Sequence, residues 1–332
     1  MSAIQTNTKS MSGSRRSCAR WIGACLVLGG ALCAAMLTSV VSKASNIADQ
    51  EAFRARLKSS AAEICGAPAA PFFSSRSRID AYSREAAHPS APWMAKLEII
   101  ESIDDGGVAS IANCGATALT RNWLITAAHC VGSSPWIAVE ATLGAQNLED
   151  PRALRRMASL ALCPTQFQGL GAGPDVALIR LLRPLPPDFP TLRVASYGEM
   201  RRLTIGRHAL AAGWPRQGDD VAAQLSAPIL ELTPPGTEPP GVLVAQPLKA
   251  GASPCVGESG APLVAELGHG PALIGVFSSV DAIYDPQSGV IQEICAGDQA
   301  RSYFTSLGGM QDWISAAIRA CDQDLTACVG AP

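Results

Sequence analysis

The sequence is poor in charge, and its charges nearly cancel. Only 16% of the 332 residues are charged, the formal net charge is −2, and hydrophobic residues make up 48%. Because nucleic-acid-binding proteins carry clustered lysine and arginine, we expect no nucleic-acid partner. So high an apolar fraction also excludes wholesale disorder and allows a sizeable core.

Metal-binding motifs are missing as well. The chain has 4 histidines and 11 cysteines, but it contains neither Cys-x-x-Cys nor His-Glu-x-x-His. Those spacings are typical of zinc sites. We therefore predict that the protein uses no metal and no cofactor.

The N-terminal region has the pattern of an export signal. The run Trp21–Val41 carries no charge, and Arg15, Arg16 and Arg20 precede it. Such a run can be a cleaved signal or a retained membrane anchor; the small residues up to Ala44 favour cleavage. Either way, the basic flank predicts that the remainder leaves the cytoplasm, as a secreted or periplasmic protein or outside an anchoring membrane. We expect contact with a membrane only if the segment is retained.

The cysteine distribution agrees with export. Three of the cysteines (Cys18, Cys25 and Cys33) lie in the signal region, which leaves an even set of eight. An even set in an exported chain is typical of disulfides. The eight are Cys65, Cys114, Cys130, Cys163, Cys255, Cys295, Cys321 and Cys328.

Beyond residue 91 the chain consists of short apolar runs broken by glycine, proline and aspartate, which predicts an all-β barrel or sandwich. In a final run, Met310–Cys321, the apolar residues recur at the spacing of one face of a helix, which predicts a helix there. The predicted strands are Trp93–Ile100, Val108–Ala112, Val176–Leu182, Gly241–Ala245, Pro262–Leu267 and Ala272–Ser278.

Peptide hydrolysis by a hydroxyl needs a nucleophile, a base and a carboxylate that orients the base. Three histidines lie in segments typical of solvated side chains: His88, His208 and His269. The fourth, His129, ends the run Thr-Ala-Ala-His followed by cysteine. Two further segments stand out: Asp-Val-Ala-Leu-Ile from Asp175, and Cys-Val-Gly-Glu-Ser-Gly-Ala-Pro around Ser259.

In order and spacing, these three segments resemble the trypsin/chymotrypsin serine protease family. The family carries Thr-Ala-Ala-His-Cys, Asp-Ile-Ala-Leu-Leu and Cys-x-Gly-Asp-Ser-Gly-Gly-Pro. The resemblance implies an all-β fold of two six-stranded antiparallel barrels with a C-terminal α-helix. It also implies a serine endopeptidase that acts on proteins or peptides.

The family resemblance assigns roles by position. His129 is implied as the base, Asp175 as its carboxylate and Ser259 as the nucleophile, with the N–H groups of Gly257 and Ser259 as the oxyanion hole. The predicted organisation is a signal peptide or anchor at 1–44, a pro-segment or linker at 45–78, the protease domain at 79–320 and a tail at 321–332.

The resemblance also implies two disulfides, Cys114–Cys130 and Cys255–Cys295. Four cysteines then remain, which allow three pairings, and the sequence does not choose among them. One of the three combines Cys65–Cys163 with Cys321–Cys328.

Glu258 stands where the family has an aspartate that pairs with a new N-terminus after zymogen cleavage. Arg78–Ile79 is a suitable cleavage point, so an activating protease is a second expected partner. Asp80 and Ala81 depart from the family's Val-Gly-Gly, and the extra methylene of Glu258 changes the reach. The alternative is a pro-region without a switch.

The resemblance also indicates specificity. Ser253 occupies the position of trypsin's pocket aspartate, so no fixed anion is expected there. Ser278 matches the serine that lines the substrate, while Val280 and Ser302 replace glycines. We predict cleavage after small or medium uncharged residues, and a lengthened loop at Asp281–Glu293.

A second function remains open. A catalytically inactive binding protein on the same fold is favoured by Glu258 and Val280, and by Ala261 in place of a family glycine. The presence of the histidine, aspartate and serine favours the enzyme.

Overall fold

The computed structural model describes residues 51–52, 55–59, 61–67, 88–103, 107, 109–132, 136–217, 220–234, 236–249, 253–255, 257–285, 290–295 and 300–323. The predicted export signal, the cleavage point at Arg78–Ile79, and Cys328 lie outside these residues. Within them, no helix combines the length and apolar character needed to cross a membrane.

The N-terminal half of the described chain forms the first barrel. Its strands are β1 (Ala62–Gly66), β2 (Met94–Ile103), β3 (Ala109–Ala118), β4 (Trp123–Thr126), β5 (Ala138–Leu143), β6 (Leu154–Pro164) and β7 (Ala177–Leu181). Strands β2 to β7 close into a six-stranded antiparallel barrel because β6 pairs with both β5 and β7. Strand β1 is a seventh strand, added beside β6.

The second barrel is built from the C-terminal half. Its region contains β8 (His208–Ala211), β9 (Arg216–Gln217), β10 (Asp220–Val221), β11 (Ile229–Thr233), β12 (Val242–Pro247), β13 (Pro262–Leu267), β14 (Gly270–Asp285), β15 (Val290–Ile294) and β16 (Ser302–Ser306). Six of these strands close in the order β13-β8-β11-β12-β16-β14, and β9 and β10 form a separate hairpin. The predicted fold of two six-stranded barrels is confirmed.

The alternation of side chains along β2 decides which barrel each residue serves. Ala95, Leu97 and Ile99 lie in the core of the first barrel. Met94 belongs instead to the core of the second barrel. Since neighbouring side chains on a strand point to opposite faces, β2 has one face toward each core.

The prediction of a lengthened loop at Asp281–Glu293 is wrong. Strand β14 continues to Asp285 and pairs with β15, in a register from Asp281↔Ile294 to Asp285↔Val290. The sequence gives the physical reason, since Ile-Tyr and Val-Ile flank the polar stretch in between, and such residues favour strands. The insertion extends the sheet as a hairpin.

Part of the predicted pro-segment or linker lies in the fold. Strand β1 is antiparallel to the end of β6, with Glu63 opposite Cys163. A disulfide joins Cys65 to Cys163, one of the pairings that the sequence left open. This segment is therefore fixed to the first barrel both by its backbone and by a covalent bond.

Helices accompany the strands in the part of the chain that the structure describes: α1 (Ala128–Gly132), α2 (Tyr197–Met200) and α3 (Gln311–Asp322). Helix α3 is the predicted C-terminal helix, and Trp313, Ile314 and Ala317 pack into the first barrel's core. The Trp313 Nε1–H donates to the carbonyl of Ala61, at 3.1 Å, just before β1. Cys321 is also disulfide-bonded, and its partner lies outside the described residues.

We expect the Cys65–Cys163 disulfide to contribute more to stability than Cys114–Cys130. The first bond joins cysteines 98 positions apart in the sequence, and the second joins cysteines 16 positions apart. Loop-closure entropy then predicts losses of about 4–5 and about 3 kcal/mol when each pair is replaced by alanine. Urea unfolding of Cys65→Ala/Cys163→Ala, beside the matched Cys114→Ala/Cys130→Ala, measures both; equal losses would contradict this account.

Candidate active site

The pairing of β4 with β7 brings His129 and Asp175 together. Thr126 at the end of β4 lies opposite Ala177 at the start of β7. Helix α1, which carries His129, follows β4, and Asp175 comes just before β7. The His129 Nδ1 lies 2.7 Å from Asp175 Oδ2, and the His129 backbone N–H donates to Oδ1 at 2.9 Å. The carboxylate thus holds both the ring and the backbone of His129.

Asp175 is a buried carboxylate whose hydrogen bonds come from both barrels. Its relative exposure is 3%. The Ser278 hydroxyl, from β14, donates to Oδ2 at 2.6 Å, and Thr305 Oγ1 donates to the Asp175 carbonyl at 3.0 Å. Burial raises the pKa of Asp175, but the hydrogen bonds and charge of His129, together with Ser278, outweigh it and leave the pKa below its usual value. The group therefore stays ionised at neutral pH.

The Ser259 turn is fixed between the barrels by its backbone. The Gly115 N–H donates to the Ser259 carbonyl at 2.6 Å, and the Gly260 N–H donates to the Phe277 carbonyl at 2.8 Å. Gly260 has φ +85°, and a Cβ there would overlap Thr126 Oγ1 and the Gly115 carbonyl. Only glycine fits this position, because both the conformation and the space exclude a side chain.

Ser259 lies against the histidine segment without bonding the ring. Its carbonyl is 3.7 Å from the Sγ of Cys130, the residue after His129. Within the described residues, no hydrogen bond joins the Ser259 hydroxyl to the imidazole. In ligand-free sites such bonds are often long and tighten only around substrate.

Two backbone N–H groups beside Ser259 are free in the described part of the chain. Gly257 has φ +84°, and neither its N–H nor that of Ser259 donates a hydrogen bond to another described residue. The neighbouring N–H groups of Glu258, Gly260 and Ala261 are all engaged, with Cys255, Phe277 and Glu258 carbonyls respectively. The turn thus has two donors available to an incoming oxygen.

The disulfides at the site have the pairing that the resemblance implies. Cys114 is bonded to Cys130, and Cys255 to Cys295. In the described part of the chain, Cys114, His129 and Cys130 offer ligand atoms within 4.8 Å of one another. Because the two sulfurs are bonded to each other, they cannot act as thiolate ligands for a metal.

The predicted pocket residues fall into two groups. Ser302 is fully buried on β16, opposite Val280 on β14. Ser253 instead borders a cavity of about 70 Å³ together with Glu258, the predicted activation residue, and the lining of this cavity includes neither Val280 nor Ser302. Among the described residues, the buried hydroxyls of Ser253 and Ser302 have no hydrogen-bond partner.

Glu258 is a buried acid next to the candidate nucleophile, with 5% exposure. The Cys255 N–H donates to its Oε2 at 2.9 Å, and Oε1 lies against Gly213, where a Cβ would overlap it. Burial raises the pKa of Glu258 to about 7, although the Cys255 hydrogen bond and the positive charge of Lys96 oppose the rise.

A family model described as Trypsin matches residues 82–300. The chain belongs to the trypsin family of serine proteases. The three sequence segments and the two barrels are thus features of one family, as the resemblance implied.

The relatives of this trypsin-family chain are distant. Phenoloxidase-activating factor 3 of Holotrichia diomphalia is 26% identical over 256 residues, which cover 69% of each protein. Serine protease 56 of Homo sapiens is 27% identical over 73% of this chain and 39% of the relative. Its Mus musculus counterpart is 26% identical, over 59% and 33%. The chain therefore spans well under half the length of the latter two relatives.

Among solved structures, an HL collagenase matches with a TM-score of 0.54 over 73% of this chain and 97% of the collagenase. The two sequences are 23% identical, so this likeness concerns the fold alone.

Gly260→Ala should destabilise the protein far more than Gly270→Ala. The φ angles are similar, +85° and +88°, but a Cβ at Gly270 meets open space while one at Gly260 meets the backbone of β3. We expect a loss of about 1–2 kcal/mol at Gly270 from conformation alone, and about 2–3 kcal/mol more at Gly260 from overpacking. Thermal unfolding checks this; similar losses at the two positions would show that the predicted overlap relaxes.

Glu258→Gln should stabilise the protein increasingly as pH rises. A folded-state pKa of about 7 means that the folded chain binds more protons than the unfolded chain below that pH. Stability therefore falls as pH rises from the unfolded pKa toward 7, and glutamine removes this loss. Unfolding curves at pH 5 and pH 7, with exposed Glu149→Gln as control, test the sign. An equal effect of Glu258→Gln at both pH values would contradict it.

Proposed function

We propose that this trypsin-family chain is an exported serine endopeptidase. The observation that carries the proposal is the His129–Asp175 pair, at 2.7 Å, beside the Ser259 turn. One relative is named an activating factor and another a serine protease, which agrees with a role in protein cleavage. The substrates are proteins or peptides, and export follows from the N-terminal sequence.

The reaction proceeds through an acyl-enzyme. The Ser259 oxygen attacks the carbonyl carbon of the scissile peptide, while its proton passes to Nε2 of His129. Asp175 stabilises the imidazolium through the Nδ1–H without taking the proton. The C–N bond then breaks as His129 protonates the leaving amine. Water, activated by the same ring, hydrolyses the ester and releases the acid.

The N–H groups of Gly257 and Ser259 bind the developing oxyanion in this proposal. Support comes from their lack of partners among the described residues, beside neighbours whose N–H groups are engaged. Preorganised donors cost no reorganisation during the reaction, and one such donor contributes about 3–4 kcal/mol to the transition state.

The proposed substrate preference is for small or medium uncharged side chains. Val280 lies opposite the buried Ser302, so side chains occupy positions where trypsin has glycines. Ser253 brings a hydroxyl rather than a carboxylate, and therefore offers no fixed charge for lysine or arginine. Ser278 is held by its bond to Asp175.

Activation by cleavage after Arg78 is part of the proposal. The new ammonium of Ile79 would enter the cavity of about 70 Å³ that Glu258 borders, together with small residues such as Ala211 and Ala212. A buried carboxylate beside alanine and proline side chains suits a cation with an aliphatic body.

A fluorophosphonate probe tests the proposed nucleophile. The full chain is produced under oxidising conditions. The probe should react with one of its serines, either before or after limited cleavage by trypsin. Ser259→Ala should abolish labelling, and Asp175→Asn should slow it about 10⁴-fold by disturbing the histidine tautomer. Ser110→Ala, an exposed serine on β3, is the matched control and should label normally.

The outcomes separate the candidate functions. Labelling that appears only after a new Ile79 N-terminus forms supports the zymogen switch, whereas labelling of the uncut chain keeps the protease and removes the switch. If the folded protein does not react with the probe in either form, the proposal that it is an enzyme is overturned. The catalytically inactive binding protein would then be favoured, and with it the interpretation of Glu258, Ala261 and Val280 as signs of lost activity.

A further inference from the structure

The helix that carries His129 is too short to hold its own conformation. Helix α1 has five residues, Ala128–Gly132, whereas helices of fewer than about 12 residues are marginal in water. Its shape therefore depends on what packs against it. Asp175 holds its first part through the His129 backbone N–H. Its end, Val131–Gly132, makes contacts that the proposed reaction does not explain.

The disulfide of β1 lies against the end of this helix. A Cβ placed on Gly132 would lie 3.1 Å from the Sγ of Cys163 and 3.4 Å from the Cβ of Cys65. These two cysteines form the bond that fixes β1 to β6. Because Gly132 has no side chain, the disulfide packs directly on the backbone of α1.

The last residue of β1 contacts the preceding residue of the helix. A Cβ on Gly66 would overlap the Nε1 of Trp136 and would lie 2.7 Å from the Val131 carbonyl oxygen. The Trp136 Nε1–H donates to that same carbonyl at 3.2 Å. Val131 and Trp136 are both buried in the core of the first barrel. The contact between Gly66 and the end of α1 thus leaves no room for a methyl group.

The same disulfide also touches the segment that leads to Asp175. Cys163 lies on β6, and the chain continues from there through Phe167 to Asp175. The Phe167 ring is a further neighbour of Gly132, since a Cβ there would lie 3.5 Å from its Cε1. The disulfide therefore lies between the segment that carries the histidine and the segment that carries the aspartate.

Strand β1 is itself fixed at its other end. The Ala61 carbonyl accepts hydrogen bonds from the Thr165 N–H and from the Trp313 Nε1–H, both at 3.1 Å. Ala61 has φ +52°, a conformation that a residue with a side chain keeps only where its surroundings hold it. Leu57 and Ala62, on either side, are buried in the first barrel's core. The strand is thus anchored well enough to hold another element in place.

We infer that Cys65 and Gly66 are positioning residues: they fix the end of helix α1 and thereby hold the ring of His129 against Asp175. Neither residue touches a reacting atom, and both act through the helix. The link to catalysis rests on the proposed function, whereas the packing of β1 on α1 does not. Residues that precede the proposed cut at Arg78 would then be needed for the reaction after the cut.

Gly66→Ala tests the inference, with Gly198→Ala as its matched control. Neither glycine has a positive φ, but a Cβ at Gly198 would meet open space, whereas one at Gly66 would press on the end of α1. We expect Gly66→Ala to lower the maximal rate of fluorophosphonate labelling about tenfold, because a slightly displaced catalytic group loses rate. The probe concentration that gives half this rate should stay the same. Gly198→Ala should label as the wild type does, and equal maximal rates for the two variants would overturn the inference.

Proton NMR gives a readout that does not need activity. The bond between His129 Nδ1 and Asp175 should give a low-field Nδ1–H resonance in the folded wild type. We expect this resonance to shift or broaden in Gly66→Ala and to stay unchanged in Gly198→Ala. If the folded wild type never labels, the proposed function fails, and the resonance still decides whether β1 positions the ring. An unchanged resonance in folded Gly66→Ala would contradict the inference.

If Gly66→Ala does not fold, the Cys65→Ala/Cys163→Ala protein decides, since it removes the disulfide and leaves the β1 backbone. Its control is Ile99→Ala, which destabilises the core of the same barrel from β2, a strand that does not pair with β1. The cysteine variant should have a lower maximal labelling rate and an altered His129 resonance, and Ile99→Ala should have neither. Wild-type behaviour of the folded cysteine variant, or the same change in the control, would overturn the inference.

Discussion

The site depends on one buried charge, the carboxylate of Asp175. It is removed from water at the boundary of the two barrels, where an ionised group is tolerated only if hydrogen bonds replace its hydration. His129 supplies two of those bonds from the first barrel, and Ser278 supplies the third from the second. Neither barrel alone would complete this shell, so the ionised acid requires the two barrels in this arrangement.

Close backbone contact between the barrels is the second constraint. The Ser259 turn touches β3 through the Gly115 N–H, and Gly260 fills a space that admits no Cβ. Two glycines, one from each side, thus allow main chains to meet where side chains usually intervene. Since main chains are stiffer than side chains, the position of Ser259 is set by the fold rather than by rotamers.

What the sequence predicts here is local, and what it misses is long-range. The predictions rest on three short segments: Thr-Ala-Ala-His-Cys, the strand after Asp175 and the glycines around Ser259. The residue pattern of each segment indicates its local conformation, and the resemblance of the three to one family indicates the two barrels. The Ser278–Asp175 hydrogen bond joins residues 103 positions apart, and the division of β2 between two cores depends on how the two barrels meet. No local pattern contains such contacts. Strand β1 was missed similarly, because its pairing with β6 depends on the finished barrel.

The attachment of β1 to the first barrel has a consequence for the molecule after cleavage. Cys65 precedes the proposed cut after Arg78, and its disulfide partner, Cys163, follows it. A cut there would yield a two-chain protein: the shorter chain would stay on the barrel through one sulfur bridge and the β1 ladder. The trypsin-like domain would then carry its own leader as a permanent light chain, which could connect it to whatever lies N-terminal.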